Sequence, residues 1–428
     1  MRYNPQNNSS NEINKSWRRT ILLFTLAIAT VLIALVMYLL QGQAQGESTT
    51  YAGAFIPVPE PVIYGNDDEN IYQGTDSELP ANTYDYVHSE QDEYYEPYSP
   101  EQYEYDEIDE TSEYDEYEPE PPCNIVTITL SAAGDTTLGG DYRWAGYHAF
   151  MREFENSGRD HSHFLRNIAH IFYESDLSIV NLEGTLTYAT EHEDKTFAFR
   201  GPPHFAQILS SSHVDAVTIS NNHTIDFFQQ GYEDTVAALR AEGIVYFGNE
   251  FKTIMEVNGI KVGMFGYRIW ADTTYNRNRI RAAITHLQDR GAQLVIAYYH
   301  WGVERENFPE QYQINIGRYS ITNGVDLVLG AHPHVVQGIE EYMGRFIVYS
   351  LANFSFGGNA NPPDQDSFIF QQTFSFYDGV LLPYADKNVI PIFVSSVRYR
   401  NDFRPTIAEG ADAERILGRI ERYSEWLR

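Results

Sequence analysis

The chain has 428 residues and a formal net charge of −31 at pH 7, with 60 acidic side chains against 29 lysines and arginines. This excess of negative charge disfavours DNA and RNA as partners, because nucleic acids are themselves polyanions. The only cysteine is Cys123, so an intramolecular disulfide is excluded.

The first distinctive segment is an uncharged, apolar stretch of twenty residues, Ile21–Leu40. That length is about enough for a helix that crosses a hydrocarbon core of roughly 30 Å. Basic residues precede the stretch and none follows for a long way, so we predict a cytoplasmic N-terminus at 1–20 and a transmembrane signal anchor at 21–40. The rest of the protein would then lie outside the cell, attached to the cell membrane by a single pass. A signal peptide cleaved near Ala44 is the alternative, although its apolar region is usually only about 7–15 residues long.

Residues 41–122 contain 23 acidic side chains and no lysine or arginine. Tyrosines and prolines are interleaved with the acidic residues, and aliphatic side chains are few. Because like charges repel and little apolar surface can be buried, this segment is predicted to be a disordered acidic linker. A stalk that carries the following domain through the cell-wall layer is the simpler interpretation. Cation binding or partner recognition by the Tyr/Glu run is the alternative.

From residue 123 to 428 the pattern becomes that of one globular domain of about 300 residues. Apolar runs typical of strands alternate with segments of helical spacing, and Asn258-Gly259 between two such runs indicates a tight hairpin. This alternation predicts a mixed α/β fold with helices outside a sheet core. The predicted strands are 125–130, 177–180, 216–219, 244–247, 254–257, 261–266, 294–299, 325–329, 346–349, 369–376 and 390–397. The predicted helices are 163–175, 205–211, 231–242, 280–290, 312–322 and 413–426.

Five short polar clusters each follow an apolar run. They are Gly134-Asp135, Asn181-Leu182-Glu183, Asn221-Asn222-His223, His300-Trp301-Gly302 and Gly330-Ala331-His332-Pro333-His334. Ligands of α/β folds collect beyond the carboxyl ends of strands, so these clusters are expected to meet. Carboxylate, amide and imidazole groups together suit a hard-to-borderline divalent ion and not a thiolate site.

Each cluster alone also has an ordinary structural explanation. Asp135 could cap a turn or helix, and Glu183 could pair with Arg200. His223 could be a buried histidine with satisfied hydrogen bonds. His332-Pro333-His334 could be a structural loop, although two histidines two residues apart face the same side and suit chelation. The recurrence of the clusters in strand order favours a metal site.

Longer motifs around these clusters resemble the bacterial capsule-synthesis CapA (PGA_cap) family. The motifs are Gly134-Asp135-Thr136-Thr137-Leu138-Gly139-Gly140, Asn181-Leu182-Glu183-Gly184-Thr185-Leu186-Thr187, Ser220-Asn221-Asn222-His223-Thr224-Ile225-Asp226, His300-Trp301-Gly302-Val303-Glu304, Gly330-Ala331-His332-Pro333-His334-Val335-Val336-Gln337 and Tyr349-Ser350-Leu351-Ala352-Asn353-Phe354. The resemblance is expected to run from about residue 125 to the C-terminus and to include Asn401-Asp402-Phe403-Arg404-Pro405. It implies a four-layer αββα sandwich of the calcineurin-like metallophosphoesterase type. It also implies a role in poly-γ-glutamate capsule production, and known members of the family include outward-facing, single-pass membrane proteins.

The resemblance further implies six metal ligands. Asp135 and His334 would bind one ion, and Glu183 would stand where a bridging carboxylate usually sits. The second ion would be bound by the remaining three, Asn222, His300 and His332.

Roles in catalysis and substrate binding are carried over in the same way. His223 would be the general acid that protonates the leaving oxygen, since a histidine with a near-neutral pKa suits proton delivery. Asp226 would either orient His223 or cap the following helix, and the cap is preferred. Arg200 is a candidate substrate contact, because an anionic substrate needs cations near the metal and Phe199-Arg200-Gly201-Pro202-Pro203 resembles a loop of the family. An ordinary surface salt bridge is the alternative for Arg200.

One motif departs from the superfamily pattern. Phosphoesterases of this type usually begin with Asp-x-His, whereas this chain has Asp135-Thr136-Thr137. The first metal would therefore lose an imidazole, and Thr137 could contribute a weak oxygen ligand or orient a water. We expect one or two divalent ions, with Mn²⁺, Mg²⁺ and Zn²⁺ as the candidates.

These inferences lead to three expectations for function. The first is a membrane-anchored, extracellular, metal-dependent hydrolase or transferase that acts on an anionic cell-surface polymer such as poly-γ-glutamate. The second is a non-catalytic accessory subunit of a membrane polymerase or exporter complex. The third is a plain extracellular metal-dependent phosphodiesterase.

Overall fold

The computed structural model describes residues 62–64 and 124–428. The strands of this part of the chain are, in order, β1 (Val62–Tyr64), β2 (Ile125–Thr137), β3 (Leu177–Leu182), β4 (Thr185–Leu186), β5 (Arg200–Gly201), β6 (Ala216–Thr218), β7 (Val245–Phe247), β8 (Lys252–Val257), β9 (Ile260–Ile269), β10 (Leu294–Trp301), β11 (Leu327–Ala331), β12 (Ile339–Tyr342), β13 (Arg345–Val348), β14 (Asn353–Phe356), β15 (Asp366–Tyr377), β16 (Val380–Phe393) and β17 (Thr406–Ile407). The helices are α1 (Ala145–Asn156), α2 (Ala169–Tyr173), α3 (Ala206–Ser210), α4 (Phe228–Ala241), α5 (Thr274–Asp289), α6 (Gln311–Thr322) and α7 (Gly410–Glu425).

Two mixed sheets form the centre of the domain. Sheet A has the strand order β1-β8-β9-β10-β11-β13-β12, and sheet B has the order β17-β16-β15-β2-β3-β6-β7, with β14 also paired to β2. The middle strands of each sheet are parallel: β9, β10, β11 and β13 in sheet A, and β2, β3, β6 and β7 in sheet B. Antiparallel strands flank them. Each sheet therefore presents a row of strand carboxyl ends at one edge.

The sheets pack face to face through an apolar core. Leu130 and Ile179 of sheet B and Ile296 and Leu329 of sheet A belong to one buried cluster, and each is 0% exposed. Full burial of such a side chain contributes about 1.5–3 kcal/mol. This shared core holds the two rows of strand ends beside each other.

Helices cover the outer faces of both sheets. Phe150 of α1 and Leu239 of α4 pack with Val217 of β6 outside sheet B, whereas Ile284 of α5 packs with Val295 of β10 outside sheet A. Since successive strand residues point to opposite faces, a strand covered on both sides reads as a continuous apolar run. The layers are helix, sheet, sheet and helix, and the predicted α/β class is confirmed.

Most predicted elements are present, and the hairpin prediction is confirmed. Asn258 and Gly259 have φ values of 51° and 80° and join the antiparallel strands β8 and β9. Positive φ at both central residues is what a tight hairpin turn of this type requires.

Other element predictions are wrong in extent. The strand predicted to end at 130 continues to Thr137, because the segment after Leu130 still pairs with β3 and β14. The helix predicted over 163–175 is reduced to the short α2, and the strand predicted to reach 397 ends at Phe393. There, Ser395 and Ser396 bind the Asp402 carboxylate instead of a neighbouring strand. Helix α1 and strands β4, β5, β12, β14 and β17 were not predicted.

The N-terminal predictions are only partly within the described residues. The membrane segment 21–40 and the linker 41–122 lie outside them, apart from residues 62–64. Those three residues form strand β1, which pairs antiparallel with β8. The linker stays a prediction. In the described part of the chain, no helix combines the length and the apolar character needed to span a bilayer.

Candidate metal centre

The six predicted metal ligands lie together at the carboxyl ends of the parallel strands. Asp135 is in β2, Glu183 and Asn222 follow β3 and β6, His300 is in β10, and the two remaining histidines follow β11. Sheet B thus supplies the carboxylates and the amide, and sheet A supplies the imidazoles. The site is the seam where the two rows of strand ends meet.

Asp135 is buried and held from three directions. Asn181 Nδ2 donates to Oδ1 at 2.7 Å, while Oδ2 accepts from the His332 main-chain N–H at 3.2 Å and lies 3.0 Å from His334 Nδ1. The preceding residue must be glycine, because a Cβ at Gly134 would lie 1.9 Å from the Ala352 carbonyl oxygen. That close approach lets the Asp135 N–H donate to the same carbonyl at 2.9 Å.

Glu183 is the least satisfied group of the centre. Its side chain is 0% exposed, and among the described residues neither carboxylate oxygen has a hydrogen-bond partner. Oε1 lies 3.6 Å from His300 Nε2 and 3.9 Å from the Nε2 atoms of His223 and His334. Burial raises the pKa of Glu183 well above its usual range, and the charge of Asp135 adds to the effect. Burying a carboxylate without a hydrogen-bond partner costs free energy of folding, and a bound cation would offset that cost by coordinating the oxygens.

The spacing of the nitrogen and oxygen atoms fits one ion at this point. His300 Nε2 lies 2.6 Å from Asn222 Oδ1, 3.0 Å from His332 Nδ1 and 3.6 Å from Glu183 Oε1. Two ligands on a tetrahedral ion with bonds of about 2.1 Å are about 3.4 Å apart. The observed separations bracket that value, so these residues fit a divalent metal.

A second group of ligand atoms overlaps with this one. Glu183, His300 and His332 offer atoms within 4.8 Å of one another, and so do Asp135, Glu183 and His334. The two groups share Glu183, which is the position expected of a bridging carboxylate.

The loop after β11 has an unusual backbone. His332 and His334 have φ values of 98° and 57°, a region that residues other than glycine rarely occupy. Contacts with neighbours hold His334 in place, since its Nδ1 lies 2.9 Å from Asn353 Oδ1 and Asn353 Nδ2 donates to its carbonyl at 3.3 Å. The strained loop turns both imidazoles toward the carboxylates.

The histidines differ in charge when no metal is bound. Burial lowers the pKa of His300 well below its usual range, and burial together with His334 lowers the pKa of His332 to about 4. Burial would also lower the pKa of His334, but Glu183 and Asp135 outweigh it and raise that pKa to about 10. Neutral imidazoles are ready to bind a metal, whereas His334 must first lose a proton.

His223 is fixed beside the centre by three neighbours. Its Nδ1 lies 2.7 Å from Asp226 Oδ2, and the Phe199 ring stacks on its imidazole at a centroid distance of 4.1 Å. Lys195 forms an ion pair with Asp226 and donates to the Asn222 carbonyl at 2.8 Å. Nε2 of His223 is thereby directed toward Glu183. Burial lowers the pKa of His223.

The preferred role of Asp226 as a helix cap is wrong. Helix α4 begins after Phe227 and has no side-chain cap, while the Asp226 oxygens bind His223, Lys195 and the Phe199 N–H. Three charged or polar contacts outcompete one cap, and Asp226 orients His223.

Two other residues have contacts that the sequence did not indicate. The Thr137 hydroxyl donates to the Glu183 carbonyl at 2.8 Å, so it positions the backbone of a ligand. The Arg200 guanidinium donates to the Ala189 carbonyl and lies 4.8 Å from the Tyr142 ring centroid. Within the described residues Arg200 makes no ion pair with Glu183, and the substrate role of Arg200 stays a prediction.

Three residues of the centre were missed. Exposed Glu304 forms a third group of ligand atoms with His332 and His334, again within 4.8 Å. Asn181 holds Asp135 and Asn353 holds His334. All three stand in the family-like motifs, which was the available signal. A cavity of about 140 Å³ opens beside them and is lined by His223, Glu304, His334 and Asn353, among others.

The middle of this chain is similar to a known protein family. Residues 129–358 match the model of a family described as "Bacterial capsule synthesis protein PGA_cap". The chain belongs to the PGA_cap family. This match confirms the predicted family. All six predicted metal ligands and His223 fall inside the matched region. Asn401-Asp402-Phe403-Arg404-Pro405 falls outside it, and there Asn401 Nδ2 donates to the Phe356 and Asn359 carbonyls at 3.0 Å.

Curated relatives of this PGA_cap protein are similar over part of their length. A PGA biosynthesis protein CapA of Bacillus subtilis (strain 168) is 25% identical over 207 residues, which cover 44% of this chain and 54% of that protein. A capsule biosynthesis protein CapA of Bacillus anthracis is 24% identical over 256 residues, covering 54% and 60%. A "probable polyglutamine synthesis accessory protein" of Mycobacterium tuberculosis is 24% identical over 285 residues, covering 58% and 73%. The chain thus spans little more than half the length of the two CapA proteins.

Among solved structures, a hypothetical protein from Thermus thermophilus is similar at 14% identity. The match covers 62% of this chain and 99% of that one, with a TM-score of 0.37.

Proposed function

We propose that this PGA_cap protein is a divalent-metal-dependent hydrolase or transferase that takes part in biosynthesis of an anionic capsule polymer of the poly-γ-glutamate type. One observation carries the proposal: the buried Glu183 carboxylate, without a hydrogen-bond partner in the described structure, lies at the junction of two groups of metal-ligand atoms. The names of the Bacillus relatives support the capsule role. The apolar stretch at 21–40 supports a membrane anchor with the domain outside the cell.

The residues present fit one or two divalent ions. Asn222, His300 and His332 would hold one ion together with Glu183, and Asp135 and His334 would hold the other. Bound there, a divalent cation would supply Lewis-acid stabilisation of an oxyanion and of a nucleophile near neutral pH. Mn²⁺, Mg²⁺ and Zn²⁺ remain the candidates.

His223 is the proposed proton carrier of the reaction. Its Nδ1 donates to Asp226, so Nε2 is the atom that faces the centre. Stacking on Phe199 fixes the ring plane, which keeps Nε2 aimed at one point. General acid–base catalysis by a positioned histidine typically contributes about 10²–10⁴-fold in rate.

The proposed hydrolysis forms one bond and breaks one. A water oxygen forms a bond to phosphorus or to a carbonyl carbon, and the bond from that atom to the leaving oxygen or nitrogen breaks. The water gives a proton to His223 Nε2, which is free to accept it because the Nδ1–H is held by Asp226. His223 then passes this proton from Nε2 to the leaving atom, which returns the imidazole to its neutral form. In a transferase, a hydroxyl or amine of the acceptor takes the place of the water.

A non-catalytic accessory role is the second candidate, and one observation favours it. The first motif lacks its usual imidazole, and the Thr137 hydroxyl at that position donates to the Glu183 carbonyl. A centre with fewer ligands could hold a structural ion without turning over substrate. The Mycobacterium relative is itself named an accessory protein.

Metal content and turnover should be measured on the full-length protein. The preparation is stripped with a chelator, reloaded with Mn²⁺, Mg²⁺ or Zn²⁺, and tested against a chromogenic phosphodiester and against poly-γ-glutamate. His334→Ala should lose metal and turnover, whereas His223→Ala should keep metal and lose turnover. Arg240→Ala, which removes an exposed charge from helix α4, is the control.

Each outcome separates the candidates. Metal-dependent cleavage of poly-γ-glutamate supports the capsule enzyme, and cleavage of the phosphodiester alone supports a plain phosphodiesterase. Bound metal without turnover, together with rescue of a capsule-deficient strain by His223→Ala, supports the accessory subunit. Absence of bound metal in the wild-type protein would refute the centre itself. Protease accessibility of the domain on intact cells tests the proposed extracellular location.

A further inference from the structure

A larger groove continues from the cavity beside the metal centre. This groove has a volume of about 690 Å³, and it shares part of its lining with the smaller cavity of about 140 Å³. The shared residues are Arg305, Val335, Pro362, Pro363 and Asp364. A ligand bound at the metal centre could therefore extend into the groove without leaving the surface.

Arginines dominate the charge of the groove. Its acidic residues, Asp364 and Asp366, are already neutralised: Arg419 Nη2 lies 2.7 Å from Asp364 Oδ2, and Arg415 Nη2 donates to Asp366 Oδ1 at 2.8 Å. Two more arginines, Arg305 and Arg398, line the same groove. They leave a local positive charge on a chain whose net charge is −31.

Arg305 and Arg398 have no carboxylate partner among the residues that the structure describes. The Arg398 guanidinium lies 3.6 Å from the centroid of the Phe393 ring, which restricts its position. The Arg305 main-chain N–H donates to the Pro333 carbonyl at 2.8 Å, so this arginine is tied to the loop that carries His332 and His334. One available guanidinium therefore adjoins the metal-binding loop, and the other lies further along the groove.

We propose that this groove is a binding subsite for an extended chain of spaced carboxylates, with Arg305 and Arg398 each binding one carboxylate. Guanidinium groups suit this task because they are always charged and present a planar fork of donors to a carboxylate. The subsite rests on the proposed function in one respect, namely that the same chain reaches the metal centre. Binding in the groove itself requires no turnover.

Binding is measured by fluorescence anisotropy of a labelled poly-γ-glutamate oligomer with the full-length protein at low ionic strength. Arg305→Ala and Arg398→Ala should each weaken binding by up to about fivefold, the range for partly exposed ion pairs. The double variant should weaken binding by up to about 25-fold, the product of the two single effects, and should show a shallower salt dependence. Arg240→Ala is a matched control, because Arg240 is also exposed, and its guanidinium lies 5.5 Å from the Tyr246 ring centroid. This control should change binding less than twofold.

Several results would overturn the subsite. Unchanged binding by the double variant would do so, and so would an equal loss in Arg240→Ala, which would indicate attraction to charge in general. Tighter binding of a polyphosphate chain than of poly-γ-glutamate would replace carboxylates by phosphates as the ligand. Metal content and thermal unfolding are measured on the same preparations. A double variant that keeps its metal and its melting temperature but loses binding isolates the groove. Absence of metal or turnover in the wild type counts against the proposed function alone.

Discussion

Replacing Glu183 by glutamine should remove most of the thermal stabilisation that a divalent metal confers on the wild-type protein. The substitution keeps the shape of the side chain and removes its charge. In the metal-free protein the change should be tolerated or slightly stabilising, because the buried carboxylate has no hydrogen-bond partner in the described structure and lies near the charge of Asp135. With metal present, the variant lacks the carboxylate shared by both groups of ligand atoms.

The size of the effect follows from mass action. At a free metal concentration of about 100 times the dissociation constant, binding stabilises the folded state by about 2.7 kcal/mol. A domain of about 300 residues has an unfolding entropy of about 0.6 kcal/mol/K near 60 °C, so the melting temperature should rise by about 4 °C. If Glu183→Gln weakens binding about a hundredfold, the same metal concentration contributes only about 0.4 kcal/mol, a shift of less than about 1 °C.

Scanning calorimetry with and without a chelator measures both shifts. Glu306→Gln, which neutralises an exposed carboxylate in the same region, is the control and should behave like the wild type. An equal metal-induced shift in wild type and Glu183→Gln would refute the role of Glu183 as a ligand. If Mn²⁺, Mg²⁺ and Zn²⁺ all leave the melting temperature of the wild-type protein unchanged, the metal site is refuted.

Three further predictions concern protons, catalysis and the core. Metal affinity should rise with pH below about 10, because His334, whose pKa is raised to about 10, must lose its proton before it can bind. Calorimetric titration in two buffers of different ionisation enthalpy should therefore detect proton release at pH 7, and equal heats in both buffers would contradict this. His223→Asn should lower turnover about 10²–10⁴-fold with unchanged metal content, and Asp226→Asn should lower it less, since it only misorients the imidazole. Elemental analysis measures the metal content of both variants, and rate measurements give their turnover. An unaffected rate in His223→Asn would exclude His223 as the group that protonates the leaving atom. Leu329→Ala should destabilise the domain by about 2–5 kcal/mol, because Leu329 is 0% exposed between the sheets, and a melting temperature within about 1 °C of wild type would contradict that packing.

The meeting of the candidate ligands at the strand ends was predictable where these residues follow strands. Asp135, Glu183, Asn222, His300 and His332 each come at the end of an apolar run, and the ends of parallel strands meet at one sheet edge. Strand character depends on a few neighbouring residues, so such runs are visible in the sequence. The same reasoning predicted the helices over 231–242 and 312–322 to within a few residues of α4 and α6.

The predictions from sequence were wrong, or did not include the residue, where a contact joins distant segments of the chain. Asp226 resembles a helix cap by its position, yet its oxygens bind Lys195 and the Phe199 N–H, about thirty residues earlier in the chain. Glu304 reaches the centre from a loop, which has no periodic pattern, and Asn353 reaches it from the first residue of strand β14, which was not predicted. Val62–Tyr64 pairs with β8, a partner nearly two hundred residues away.

The sequence by itself determined the kinds of candidate ligand, their order along the chain and the α/β class, because these depend on residue chemistry and on local periodicity. Only the tertiary structure decided that the strand ends of two separate sheets face one another, that Glu183 stands between them without a hydrogen-bond partner in the described structure, and that the Arg305 and Arg398 side chains line one groove. The physical reason is that the relative position of the sheets is set by burial of the core between them. That burial is a collective property of side chains from both sheets, and no local pattern encodes it.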